Sequence, residues 1–158
     1  MKILMVCLGN ICRSPMAAGV LRKKIEEQNL NDLIEVESAG TISIHQGEHP
    51  DSRAIKIARI NNIDISRLHA RHFSVEDFDL FDKIIVMDKS NFAAILSLVR
   101  NDGDKQKVEM LLNYCNPGSN ESLSDPYFGD MDGFDDVFIL IDRACDGIVD
   151  SLKKEILK

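Results

Sequence analysis

The chain has no stretch approaching the roughly 18 uninterrupted apolar residues that a membrane-spanning helix needs. The apolar run at its start, Met1 to Val6, is far too short for a signal peptide. Basic residues are outnumbered, 19 Lys and Arg against 26 Asp and Glu, leaving a net charge of -7. That balance argues against wrapping nucleic acid or docking on an anionic membrane, both of which need a basic footprint. Cysteine is scarce: Cys7, Cys12, Cys115 and Cys145 are too few and too scattered for a disulfide framework in 158 residues. No grouping of Cys and His has zinc spacing, so neither a metal nor a cofactor is expected. Repeats, linkers and low-complexity tracts are also lacking, and the expected location is the cytoplasm, where thiols stay reduced. What remains is a chain with 44% hydrophobic and 28% charged residues, the balance of a soluble globular protein. Its length suits one domain, residues 1–158, able to bury roughly 70% of the unfolded surface.

Apolar blocks alternate with helical patterns. Lys2 to Cys7 predicts a buried strand, and Pro15 to Asn29 a helix with Met16, Val20, Leu21 and Ile25 on one face. Ile34 to Ser38 predicts a second strand and Asp51 to Asn61 a second helix. Lys83 to Met87 is β-branched and almost wholly apolar, as a strand covered on both faces should be. A helix over Ser90 to Arg100, capped by Ser90, and a fourth strand over Lys107 to Leu112 follow. Asn113 to Gly133 is rich in Asn, Ser, Gly, Asp and Pro and predicts a long loop, a length that usually signals function. Val137, Ile141, Ala144, Ile148, Leu152 and Ile156 step along one face of a C-terminal helix. Strands alternating with helices predict a doubly wound α/β domain with a four-stranded parallel sheet and helices on both faces.

The segment Cys7-Leu8-Gly9-Asn10-Ile11-Cys12-Arg13-Ser14-Pro15 lies between the first strand and the first helix. Open α/β sheets bind ligands at that end of a strand. Ser14 as N-cap and Pro15 at the first helical position mark the helix start. Amides of the loop and of the helix N-terminus then converge into an anion cradle. Gly9 permits a tight turn and Asn10 a left-handed backbone. A cysteine in such a setting has its pKa lowered to about 3.5–7.5, making it the attacking thiolate. Arg13 can bind two phosphate oxygens at once and follow charge on the transferring group. The Gly-Lys-Ser/Thr ending of nucleotide-binding loops is missing, so ATP or GTP hydrolysis is not indicated. Taken singly, Cys7 reads as a buried hydrophobe and Arg13 as a surface charge; together on this loop they read as nucleophile and phosphate clamp. Cys12 reads equally as a buried thiol or as a resolving partner able to close a reversible disulfide on Cys7.

Expulsion of an alkoxide or phenoxide calls for a proton donor. Asp125 in Ser124-Asp125-Pro126-Tyr127-Phe128-Gly129 is the candidate, because Pro126 biases it toward an extended conformation. Tyr127 and Phe128 could wall a flat leaving group. An Asp-Pro turn is the plainer alternative, and Asp130, Asp132, Asp135 and Asp136 compete on spacing alone. His45 lies in a loop with Gly47 and Pro50 that could rim the cleft.

Residues Cys7 to Ser14, opening directly after the first strand, resemble the phosphate loop of the low-molecular-weight protein tyrosine phosphatases, and Asp125 to Gly129 resembles that family's acid loop. Ser38-Ala39-Gly40, Pro50-Asp51-Ser52-Arg53, Ala70-Arg71 and Met87-Asp88-Lys89-Ser90-Asn91 resemble further landmarks in the same order. The resemblance implies a phosphocysteine on Cys7, with Arg13 binding phosphate and Asp125 acting as acid, then base. It implies that Asn10 and Ser38 hold the loop, that Ser14 hydrogen-bonds the thiolate, and that Cys12 is a redox partner. Expected substrates are phosphotyrosine proteins or small aryl phosphates, expected inhibitors are phosphate-like oxyanions, and the expected state is a monomer. Three positions depart from the family pattern. Ile44 stands where an aromatic wall is common, before His45; Glu48 adds a negative charge at the rim; Leu68 replaces a histidine of the loop network. Two other functions share the cradle. An arsenate reductase would need Cys115 or Cys145 as a relay, and a non-catalytic phosphate-binding module would have no need of a thiolate.

Overall fold

The computed structural model describes all of residues 1–158. Four strands, β1 (Lys2–Cys7), β2 (Glu35–Gly40), β3 (Lys83–Val86) and β4 (Val108–Met110), form one sheet in the order β2-β1-β3-β4. Every neighbouring pair is parallel. Six helices connect and flank them: α1 (Arg13–Glu27), α2 (Ser52–Ile60), α3 (Asp77–Leu80), α4 (Lys89–Leu96), α5 (Asp102–Gln106) and α6 (Met131–Ile156).

The alternation along β1 explains the layering. Ile3, Met5 and Cys7 face a core shared with α1, α2 and α6. Leu4 and Val6 face a smaller core with Phe73, Phe78, Phe81 and Ile95. Successive strand side chains point to opposite faces, so a strand buried on both must be apolar throughout. Each fully buried Leu, Ile or Met is worth about 1.5–3 kcal/mol of transfer free energy. β1 lies at the point where strand order reverses, with β2 on one side and β3 on the other. Ligand crevices open outside the carboxyl ends of strands at such points.

The predicted elements recur with shifted boundaries. The first helix begins at Arg13 with Cys12 as N-cap, two residues ahead of the Ser14 cap predicted from composition. Ser14 does not cap because its hydroxyl is engaged with the Cys7 sulfur and the Asn10 carboxamide. Likewise Asp88, not Ser90, caps α4, in a reciprocal capping box with Asn91. α4 ends at Leu96 rather than Arg100, and the separate short helices α3 and α5 carry too little periodicity to be foreseen. The predicted loop over 113–133 holds a 3-10 turn, Leu111–Tyr114, at its entry and yields to α6 at Met131.

Candidate active site

β1 ends at Cys7, which the core pins at 3% exposure. Its sulfur accepts the Asn10 backbone N–H at 3.3 Å and lies 3.0 Å from the Ser14 hydroxyl oxygen. The Asn10 side-chain amide donates to that same oxygen at 2.7 Å, which leaves the hydroxyl proton free to point at sulfur. Donors aimed at one atom stabilise negative charge there. Asn10 holds this arrangement by adopting φ 58°, a left-handed backbone that Asn tolerates. Its carbonyl oxygen accepts the Arg71 backbone N–H at 3.0 Å, so both ends of the carboxamide are used. β2 closes against the loop at Gly40, where a Cβ would meet the Leu8 carbonyl oxygen at 2.8 Å. Ser38 sits in β2 opposite Met5. The side-chain bonds that hold Asn10 come from Ser14 and Arg71, with no Ser38 hydroxyl in that network.

Arg13 is 2% exposed, and its terminal nitrogens are aimed by partners distant in sequence. Nη1 donates to Asp88 Oδ2 at 2.7 Å and to the Leu123 carbonyl at 2.8 Å. Asp88 divides its labour, because Oδ1 caps α4 by accepting the Asn91 N–H at 2.7 Å. The Leu123 N–H in turn bonds the Met87 carbonyl at 2.8 Å, laying the predicted acid segment across the end of β3. Asp125 thereby arrives with Oδ2 3.5 Å from Arg13 Nη2, its side chain 35% exposed. Its Oδ1 accepts the Tyr127 N–H at 3.1 Å, so Asp-Pro-Tyr forms a turn and a presented carboxyl at once.

The Cys7 sulfur, the Arg13 guanidinium and the Asp125 carboxyl thus line one cleft of about 420 Å³. A model of the low molecular weight phosphotyrosine protein phosphatase family matches residues 2–158. The chain belongs to this family. A relative from Schizosaccharomyces pombe, a low molecular weight phosphotyrosine protein phosphatase, is 41% identical over 139 residues, 87% of this chain and 88% of its own. A crystal structure of a protein tyrosine phosphatase from Entamoeba histolytica, with Hepes in the active site, superposes with TM-score 0.92 at 34% identity, covering 98% of each chain. A Drosophila arginine phosphatase superposes with TM-score 0.89 at 31% identity, covering 97% of this chain and 98% of its own.

The cleft has two mainly apolar walls. Tyr127 and Phe128 stand on one side with ring centroids 4.9 Å apart, and Phe128 is 94% exposed. Ile42, Ile44 and His45 stand on the other. His45 lies over Gly9, where a Cβ would come within 2.9 Å of its ring. Glu48 is engaged: its carboxylate lies 2.5 Å from His45 Nδ1, so it does not stand free at the rim. Leu68 serves through its backbone, accepting His49 Nδ1 at 3.1 Å. Cys12 lines the same cleft. Burial, then the negative charges of Asp51, Cys7 and Asp125, push its thiol far above the ordinary value, so it rests protonated. Cys145 is fully buried against α1, and its thiol is also pushed up by burial. A hollow of about 480 Å³ beside β4 holds Lys83 and Tyr114, each paired with Glu109.

Four contributors had no assigned role in the sequence reading: Asp88, the Leu123 carbonyl, the Arg71 backbone and Arg53. Asp51, Arg53, Arg71 and Asp88 stand inside the family landmarks. The pairings that give them work span 61 to 110 residues for Asn10 and Arg13.

Proposed function

We propose that the protein hydrolyses phosphotyrosine side chains and small aryl phosphates through a phosphocysteine on Cys7. The observation that carries this is one sulfur held by the Asn10 N–H and the Ser14 hydroxyl, sharing its cleft with Arg13 and Asp125 3.5 Å apart. In the first step the Cys7 sulfur attacks phosphorus and the bond to the aryl oxygen breaks. Protonated Asp125 delivers its proton to that oxygen. Arg13 Nη2, with Nη1 already held by Asp88 and Leu123, is left to follow the equatorial oxygens. In the second step Asp125 as carboxylate takes a proton from water, the water oxygen attacks phosphorus, and the sulfur leaves with its electron pair. Because the cradle recognises a tetrahedral oxyanion, inorganic phosphate and its analogues compete with substrate. The apolar walls of Leu8, Ile11, Ile44 and Tyr127 favour a flat aromatic leaving group over a charged guanidinium.

Peroxide would oxidise the Cys7 thiolate to a sulfenic acid. The neighbouring Cys12 thiol then displaces water from that sulfur and closes a disulfide that a thiol reductant reopens. A relay through Cys145 is disfavoured by its complete burial, which weighs against arsenate reduction. The free thiols suit a reducing cytoplasm, and no helix is long and apolar enough to cross a membrane. We take residues 1–158 to act as one domain and as a monomer.

The test is a rate assay on aryl phosphates, with phosphoarginine as control substrate. Cys7→Ser abolishes turnover, and Arg13→Ala loses both binding and turnover. Asp125→Asn lowers kcat/KM about 100-fold or more for a poor leaving group and far less for an activated one. Full turnover in Cys7→Ser would overturn the phosphocysteine, and phosphate binding without turnover in the unchanged protein would leave only a phosphate-binding module.

A further inference from the structure

The acid segment from Ser124 to Asp130 has neither helix nor strand to hold it, so its shape must come from bonds to other elements. Most of that grip comes from one side chain. Arg53, in the first turn of α2, donates from Nη2 to the Tyr127 carbonyl at 2.8 Å and from Nη1 to the Gly129 carbonyl at 2.9 Å. Its guanidinium lies 5.8 Å from the Tyr127 ring centroid and 4.6 Å from that of Phe134 on α6. The fork is itself aimed by Asp51, which receives Nε at 3.0 Å and Nη2 at 2.9 Å. Asp51 is tied to the phosphate loop, its N–H bonding the Ile11 carbonyl at 2.7 Å.

A continuous bonded path therefore runs from Ile11, beside the nucleophile's cradle, through Asp51 and Arg53 to Tyr127. There it ends one peptide from the proton donor, since the Tyr127 N–H bonds Asp125 Oδ1 at 3.1 Å. The Tyr127 carbonyl is clamped by Arg53 while its N–H holds the Asp125 carboxyl. Movement at either end of that residue moves the carboxyl against the sulfur.

We propose that Arg53 is a positioning residue for the reaction, setting the distance between the Asp125 carboxyl and the oxygen leaving from phosphorus above Cys7. The inference rests on Asp125 being the proton donor. Arg53 is not among the side chains that line the cleft. Lysine cannot replace it fully, because only the planar fork reaches two carbonyls and a carboxylate together.

The test compares kcat/KM, which reports phosphoryl transfer to Cys7, for phenyl phosphate and dinitrophenyl phosphate. Arg53→Met keeps the length of the side chain and its packing on Phe134 while removing every donor. It should slow phenyl phosphate about 10–100-fold. Dinitrophenyl phosphate, whose phenoxide leaves without a proton, should change less than about threefold. The inhibition constant of inorganic phosphate should hold within about twofold, since the cradle is built from other residues. Arg53→Lys should recover part of the loss, and in an Asp125→Asn background Arg53→Met should add nothing further. Equal slowing of both substrates, or phosphate inhibition weakening in step with the rate, would overturn the inference and leave Arg53 a fold-maintaining residue. If the methionine variant does not fold, Arg53→Lys carries the same comparison, and a rate loss indifferent to leaving group again overturns it. Should Asp125→Asn itself slow both substrates equally, the proton-donor assignment fails first, whatever Arg53 does.

Discussion

Asn10 shows how much one residue is asked to do in the phosphate loop. It supplies a left-handed backbone at φ 58°, a backbone N–H to the Cys7 sulfur, a side-chain amide to Ser14 and an acceptor for Arg71, all at 2% exposure. Alanine there would take on the strain of that backbone, about 1–2 kcal/mol. It would also strand the half-buried Arg71 N–H, about 1–2 kcal/mol, the lower part of the range for a buried donor. Asn10→Ala is therefore expected to destabilise by about 2–4 kcal/mol in urea unfolding and to cut turnover, since the Ser14 hydroxyl loses its alignment. Asn10→Gly accepts the backbone without strain and should recover roughly half the stability but little of the activity. Full activity in Asn10→Gly would mean that backbone conformation alone sustains the site. Asp88 is the complementary case, a residue with one oxygen on a helix cap and the other on Arg13.

Helix α6 meets the 3-10 turn Leu111–Tyr114 through a close backbone approach at Gly147. A Cβ there would sit 2.3 Å from the Tyr114 carbonyl oxygen and 3.1 Å from its carbon, both backbone atoms that cannot swing away. Alanine normally favours a helix interior over glycine by about 1 kcal/mol. Here the overlap should win: Gly147→Ala is expected to lower stability by about 1–3 kcal/mol, read as a lower urea midpoint at unchanged slope. A stabilised variant would show that α6 and the 3-10 turn can part without cost. The periodicity of α6 was legible because one face meets α1 and the core over 26 residues. The short helices α3 and α5 were not. Four and five residues hold too few turns to show a period, and they exist because Arg100 and Arg71 tie Asp77, Asp79 and Asp104 in place.

Over the whole molecule, hydrogen-bonded carboxylates set the acid limit of stability. Hydrogen bonds from Arg100 hold the Asp104 carboxyl down at about 2 and the Asp79 carboxyl below its ordinary value. Arg53 does the same to Asp51, and Ser66 to Asp64. A folded-state value below the unfolded one, about 3.9 for Asp, means that these groups bind fewer protons when folded. Their stabilisation is then fully present above about pH 4 and is lost as pH falls toward about 2. Arg100→Ala should therefore lower Tm at pH 7, and the gap to the unchanged protein should close as pH falls through that window. A gap constant from pH 7 to pH 2 would place the stabilisation outside these ion pairs.

At this same scale the division between sequence and structure becomes plain. Cys7, Gly9, Asn10, Arg13 and Ser14 lie within eight consecutive positions, and a loop that short between a strand and a helix has little choice of shape. Cys7, its loop and Arg13 were therefore readable as a candidate site from residue type and order. The doubly wound sheet was readable too, from uninterrupted apolar runs alternating with helical patterns, and so was α6, from a period near 3.6. Which aspartate meets Arg13 was not readable from spacing alone, because Asp125 had several neighbours of equal chemistry and reaches the guanidinium from 112 positions away; Pro126 and the family resemblance singled it out. The caps at Cys12 and Asp88, the carbonyl of Leu123 and the clamp at Arg53 belong to the same class. Local order encodes local geometry, but a hydrogen bond between distant segments exists only once the sheet has brought its loops to one edge.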